Sequence, residues 1–298
     1  MGKQSKSDLR YAIVRLLRNA KRAFLDLFSL QLEGKYFRHK LRYKGKLVKL
    51  SPAIKEVAEE IKREGVCVRH FEKLGLENFS SIIEAAQSLK NEHKTVVGMG
   101  EYFDLMTDVT QRVTDFEIAK LCPEVFLFGL KKELLALAEN VVGVPPSYLG
   151  CEMRKDLGSK EFGVRLFHRD FEDLGLLKIC IYLSDVNEET PAFEFLPFSE
   201  EKALAGGRCL AASSPLVASK AKRCEGPAGT VVFAWTNEVI HRASVMSSTS
   251  KERYTLWYVY GSRYVRHQET VMAVTKEETR RLMDPFLSDQ QRGYLNWF

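Results

Sequence analysis

The chain is poor in several features that would settle its class at once. Nine prolines and 19 glycines in 298 residues exclude a collagen-like repeat. No run of 18 apolar residues exists, so no membrane-spanning helix is expected. No period of 20–50 residues recurs, which excludes solenoids and propellers. The six cysteines (Cys67, Cys122, Cys151, Cys180, Cys209 and Cys224) include no C-x-x-C pair. Reduced thiols in a cytosolic protein are therefore expected, not a disulfide framework. Arg10, Arg15, Arg18, Lys21 and Arg22 interrupt any apolar signal-peptide core. Lys6 stands where a myristoylation signal needs Ser or Thr.

What is present describes a globular chain: 45% hydrophobic, 28% charged and 11% aromatic residues, enough to bury a large core. The net charge of +6 is unevenly spread. Residues 1–50 hold 14 Lys/Arg against Asp8, Asp26 and Glu33, a net +11, so the other 248 residues carry −5. Leu9, Ile13, Leu16, Leu17, Ala20, Phe24, Leu27 and Phe28 recur at helical spacing among these basic residues. Three readings of this segment stand open: a helix lying on an anionic membrane surface, a grip on a phosphate-rich substrate, or a helix packed on its own domain.

Ser51-Pro52 predicts a helix start, and Gly65 its end. Further helices are predicted over about 79–89 and 124–142, and a capping box at Thr275 and Glu278 predicts a last one. After Pro146 strand-like runs dominate: 147–153, 163–167, 176–183, 192–196, 230–235 and 254–260. The stretch from Glu200 to Ala228 reads as a long loop. Helices first and strands after predict an α+β fold in one domain. Its parts are a basic amphipathic segment (1–50), helical support (51–143), a β-rich core (145–262) and a C-terminal helical tail (263–298).

The sharpest local signal is Phe167-His168-Arg169-Asp170. On an extended strand, residues two apart share a side, so His168 and Asp170 can converge on one ion. His241, 71 residues after Asp170, follows a strong strand and is the candidate third ligand. Two histidines and one carboxylate with open positions opposite are the donor set of non-haem Fe(II). Arg253 opens an apolar, aromatic strand. A guanidinium buried there needs an anion: either a ligand carboxylate or one of the protein's own acids. Thr255, two residues on, shares its face. Trp257, Phe233 and Trp235 are the expected dry wall of such a pocket; Arg154, Arg165 and Lys178 are each read first as a surface charge, with contact to an anion near its mouth as the alternative.

His168-x-Asp170, His241 and Arg253, with the strand from Leu177 to Val186, resemble the Fe(II)/2-oxoglutarate-dependent dioxygenases, in texture the phytanoyl-CoA dioxygenase-like branch. The resemblance covers roughly residues 145–262. It implies a double-stranded β-helix (jelly roll) core buttressed by the N-terminal helices. It implies Fe(II) held by His168, Asp170 and His241, the cosubstrate 2-oxoglutarate anchored by Arg253 with Thr255, and use of O2. The carboxylate of Asp170 points to hydroxylation, since halogenating relatives carry a small residue there. The expected substrate is a small-molecule or lipid-linked anion: a lipid, a lipopolysaccharide sugar such as Kdo, or a carrier-bound acyl group. The expected location is cytoplasmic, peripheral on the inner face of the membrane through residues 1–50. A nucleic-acid demethylase is disfavoured, because Val259 stands where such enzymes resemble one another in having a second arginine. A non-catalytic jelly-roll binding module is the remaining alternative.

Overall fold

The computed structural model describes residues 30–92, 110–156, 165–205, 214–244, 251–266 and 277–295. The helical part comprises α1 (30–43), α2 (Pro52–Glu64), α3 (Phe79–Glu92), α4 (Asp115–Leu121), α5 (Pro123–Phe128) and α6 (Lys132–Val142). Strands β1 (Val66–His70) and β2 (Thr110–Val113) are interleaved with these helices. Then follow β3 (Ser147–Asp156), β4 (Leu176–Tyr182), β5 (Phe193–Leu196), α7 (Phe198–Ala205), α8 (Pro215–Lys220) and β6 (Lys222–Cys224). The chain continues through β7 (Thr230–Trp235), β8 (Ile240–Ala243), β9 (Arg253–Gly261), α9 (Glu277–Met283) and α10 (Asp289–Arg292).

Two antiparallel sheets result. The larger has the order β1-β7-β4-β9-β3-β2, the smaller β6-β5-β8. Strand alternation divides the large sheet into two faces. Leu177, Ile179, Ile181, Phe233, Leu256, Tyr258 and Tyr260 point outward into a core shared with α2, α3, α5 and α6. Cys180, Tyr182, Val232, Ala234 and Trp257 point inward against Phe193 and Phe195 of the small sheet. The fold is thus three layers: helices, large sheet, small sheet.

The helix predicted over 124–142 is broken in two, and the sheet supplies the reason. The hydroxyls of Tyr148, Tyr258 and Tyr260 donate to the carbonyls of Phe126 (3.1 Å), Val125 (2.8 Å) and Gly129 (2.7 Å). These carbonyls lie at the end of α5, where the helix ladder runs out; that of Phe126 also accepts from the Gly129 amide at 3.2 Å. A Cβ on Gly129 would lie 2.5 Å from the Tyr148 ring, although the backbone there is an ordinary αR one. Gly129→Ala is expected to cost about 1–3 kcal/mol by overpacking alone, measured as a drop in urea midpoint at unchanged slope.

Other expectations meet varied outcomes. The helix at Ser51-Pro52 runs to Gly65, which adopts φ +87 as a left-handed cap. The strand expected over 192–196 begins at Phe193, and that over 230–235 is β7 itself. The loop expected over 200–228 instead contains α8, β6 and most of α7. Five of the cysteines are free, while Cys209 lies outside the described residues. So do the amphipathic pattern over 9–28 and Thr275. No helix among the described residues is long and apolar enough to cross a membrane.

Candidate metal centre

His168 and His241 are brought together by the backbone. The two residues form an isolated antiparallel bridge, each amide donating to the other's carbonyl at 2.9 Å. Directly opposed residues put their side chains on one face, and the rings are 4.5 Å apart. His168 is not in a regular strand; the expected strand over 163–167 enters the described residues only at Arg165. Asp170 is fixed by its amide, which donates to the Thr236 carbonyl at 2.9 Å. Asp170 Oδ1 lies 3.5 Å from His168 Nε2, and Oδ2 lies 3.8 Å from His241 Nε2. One ligand atom from each residue lies within 4.8 Å of the other two.

The imidazoles are oriented from behind. His168 Nδ1 contacts the Leu166 carbonyl at 2.8 Å, and His241 Nδ1 the Val239 carbonyl at 3.0 Å. A carbonyl only accepts, so each Nδ1 carries a proton and each Nε2 is left facing the shared centre. Burial pushes His241 down to about 4, with Asp170 only partly opposing it, so this ring is a neutral donor at physiological pH. His168 is also pushed down by burial, but its hydrogen bond to Asp170 and that carboxylate's charge shift it above the ordinary value. Burial would raise Asp170; Lys178, His241 and His168 together hold it well below the carboxylate range. Two neutral-capable imidazoles and an ionised carboxylate fit a first-row divalent metal of the Fe(II) type.

Lys178 is buried on the inner face of β4, with Nζ 2.7 Å from Asp170 Oδ2 and 3.7 Å from Glu172 Oε1. In the sequence it reads first as a surface charge. Lys178→Met removes the charge that keeps Asp170 ionised and aimed. Metal affinity is expected to weaken about 10–100-fold, read by Ni(II) titration.

Arg253 opens β9, is 2% exposed, and lines the same cavity as the three ligands. It meets one of the protein's own acids. Nε and Nη2 donate to Asp156 Oδ2 at 3.0 and 2.6 Å. Asp156 is its direct partner across the β3–β9 ladder. Nη1 is buried and makes no hydrogen bond to the described residues. Arg165, also buried, donates from Nη1 to the Ser244 carbonyl at 2.7 Å and approaches Asp156 Oδ1 at 4.0 Å.

Thr255 is buried on the Arg253 face, where its Oγ1 accepts from Trp257 Nε1 at 2.8 Å; it does not line the cavity. Of the expected aromatic wall, Trp257 does line it. Phe233 and Trp235 do not: alternation along β7 turns both toward the helical layer. Phe193 takes their place, stacked on His241 at 5.3 Å and 12°. It lies in the strand-like run over 192–196, whose sequence does not say what it packs against.

No family model and no curated protein matches the chain. Solved structures do. HygX from Streptomyces hygroscopicus, with nickel, 2-oxoglutarate and hygromycin B bound, is 18% identical with a TM-score of 0.50, over 70% of this chain and 86% of that one. The non-heme alpha-ketoglutarate-dependent epimerase SnoN from nogalamycin biosynthesis is 20% identical with a TM-score of 0.48, over 70% and 83%. The corresponding carbocyclase SnoK is 21% identical with a TM-score of 0.46, over 72% and 87%. The likeness to HygX shows a shared fold. None of the structures named singles out the phytanoyl-CoA dioxygenase-like branch. In this fold the small sheet carries His241, and the bridge at His168 extends it by one more pairing.

Proposed function

We propose that the chain is an Fe(II)- and 2-oxoglutarate-dependent oxygenase with a jelly-roll core, and that it hydroxylates an unactivated C–H of an anionic substrate. The observation that carries this reading is the pair of Nε2 atoms facing Asp170, each locked by a backbone carbonyl, with Arg253 in the same cavity. His168, Asp170 and His241 would hold the iron, which when bound supplies the oxidative chemistry.

The protein's own contributions follow from its geometry. Arg253 would bind the distal carboxylate of 2-oxoglutarate. Its unpartnered Nη1 offers one donor, and the fork held by Asp156 can be shared or released. Phe193 and Trp257 shield the His241 side of the cavity from water. Arg154 lines the cavity with its guanidinium 4.7 Å from the Trp257 ring centre, and Arg242 lines it from β8. Arg154 is paired with Glu152 and Arg242 with Glu194, so the guanidinium groups would have to share these acids with the carboxylate or phosphate of a lipid, an acidic sugar of the Kdo type, or a carrier-bound acyl group.

The test is succinate formation from 2-oxoglutarate with purified protein and Fe(II). Turnover that needs both, is lost on chelation and is absent in His241→Ala supports the reading. Chelator-insensitive turnover, or no binding of 2-oxoglutarate to the metal-loaded protein, overturns it.

A further inference from the structure

Helix α1 is built inside out. The side turned to the protein is polar and aromatic. Tyr36 donates to the Val142 carbonyl at 2.6 Å, and His39 Nδ1 bonds the Tyr264 hydroxyl at 2.8 Å. Lys40 Nζ lies 5.3 Å from the Trp235 ring centre, and Arg266 pairs with Glu33 at 2.8 Å. The apolar side chains point away: Leu30, Phe37 and Leu41 are 64%, 60% and 59% exposed. With Gly34 they recur at steps of four, three and four, which places them in one stripe along the helix.

A second stripe runs beside the first. Lys35, Arg38 and Arg42 are exposed one position round the helix, and exposed Lys44, Lys46 and Lys49 continue the charge past its end. Among the described residues none of these six basic groups pairs with an acid. A helix in a soluble protein normally buries its apolar stripe and solvates its charges. Here both stripes face out together. An apolar stripe flanked by Lys and Arg is the arrangement that settles into the headgroup region of an anionic bilayer, with apolar side chains among the acyl chains and cations among the phosphates.

We infer that the outer face of α1, built on Leu30, Phe37 and Leu41 with Lys35, Arg38 and Arg42, docks on an anionic phospholipid surface. The charge selects a lipid surface over a second copy of the chain, because two copies joined through this face would oppose six uncompensated cations to six more. The helix is also placed where docking would matter. A Cβ on Gly175 would lie 2.6 Å from the Tyr36 hydroxyl, and the Arg266 amide donates to the Glu172 carbonyl at 2.8 Å. Residues 171–175 lead directly from Asp170 into β4, so α1 sits at the end of the sheets that carries the metal ligands. Exposed Leu166 and Phe171 flank His168 and Asp170 at that end. That docking brings the cavity to a lipid-linked substrate rests on the catalytic reading above; the docking itself does not.

Flotation of the full chain with vesicles tests the inference, using phosphatidylcholine alone and phosphatidylcholine with 30% phosphatidylglycerol. Residues 1–29 add seven Lys/Arg and two acids, so variants must locate the contact. Wild type is expected to float only with the anionic vesicles. Phe37→Glu/Leu41→Glu and Arg38→Glu/Arg42→Glu are each expected to weaken binding at least ~10-fold. Their melting temperature and Ni(II) affinity should stay at the wild-type values, which separates lost docking from lost folding. Four outcomes overturn the inference: no flotation of wild type, equal flotation of the apolar double variant, equal binding to both vesicle types, or a wild-type dimer that the apolar variant dissociates without change in vesicle binding. Loss of succinate formation with flotation intact would strike the catalytic reading and leave this one standing.

Discussion

Asp170→Asn is expected to remove metal-dependent turnover and most metal affinity. The substitution keeps the volume and the backbone hydrogen bond from the Asp170 amide to Thr236, while it takes away the charge and turns one acceptor oxygen into an amide donor. That charge is what the site is built around. It faces Nε2 of both histidines and is held ionised by Lys178. Without it the metal meets two neutral rings and a buried ammonium, so affinity should fall well beyond the ~10–100-fold that losing an outer partner costs. Titration with Ni(II) or Fe(II) measures this directly, and the rise in melting temperature caused by saturating metal should vanish with it. A variant that keeps wild-type affinity and turnover would show that the ion is held elsewhere. His241→Gln should behave alike, since its Nε2 is a neutral donor at pH 7 and His168 alone would be left to offer an imidazole to the centre.

The second large effect is on stability. Arg253 and Asp156 are both buried, and their two hydrogen bonds tie β9 to β3. Arg253→Met leaves a buried carboxylate without its main partner, and breaking such a pair costs about 3–5 kcal/mol. The double change Arg253→Met/Asp156→Leu removes both charges and should recover much of that loss, which urea denaturation of the three proteins would show. The pH dependence has a definite sign. Burial would raise Asp156, but Arg253 and Arg165 hold it below the ordinary 3.8. The pair therefore stabilises fully above that value and loses its contribution as pH falls through the folded-state value. In Arg253→Met burial dominates and raises Asp156, so the sign reverses: stability should fall as pH rises through the carboxylate range and be regained on acidification. The same variant should also lose affinity for 2-oxoglutarate; unchanged affinity would leave Arg253 as a structural partner of Asp156 alone.

The three residues of the candidate metal centre were legible as a group because their chemistry is rare and their local spacing informative. A histidine and an aspartate two residues apart share a side in any extended segment, whether or not it is a regular strand. Helix ends were legible where a proline or glycine fixed the backbone, as at Pro52 and Gly65. The assignment of Phe233 and Trp235 to the pocket failed on the same two-residue period that succeeded elsewhere. A strand buried on both faces is apolar throughout, so its sequence does not say which face is inward. The break at Gly129 was hidden for a related reason: the residue that forbids a side chain there, Tyr148, is 19 positions away and belongs to the sheet.

The sequence by itself determined the donor types, the order of helices before strands, and the excess of positive charge in the first 50 residues. These are properties of residue chemistry and short-range periodicity. Only the tertiary structure decided that Asp156 sits on Arg253, that Lys178 reaches Asp170, and that α1 turns Leu30, Phe37 and Leu41 outward. Each of these depends on register between strands or on which side of an element meets its neighbour. Such choices are made by packing across long chain separations, where one residue of shift sends every side chain to the opposite face.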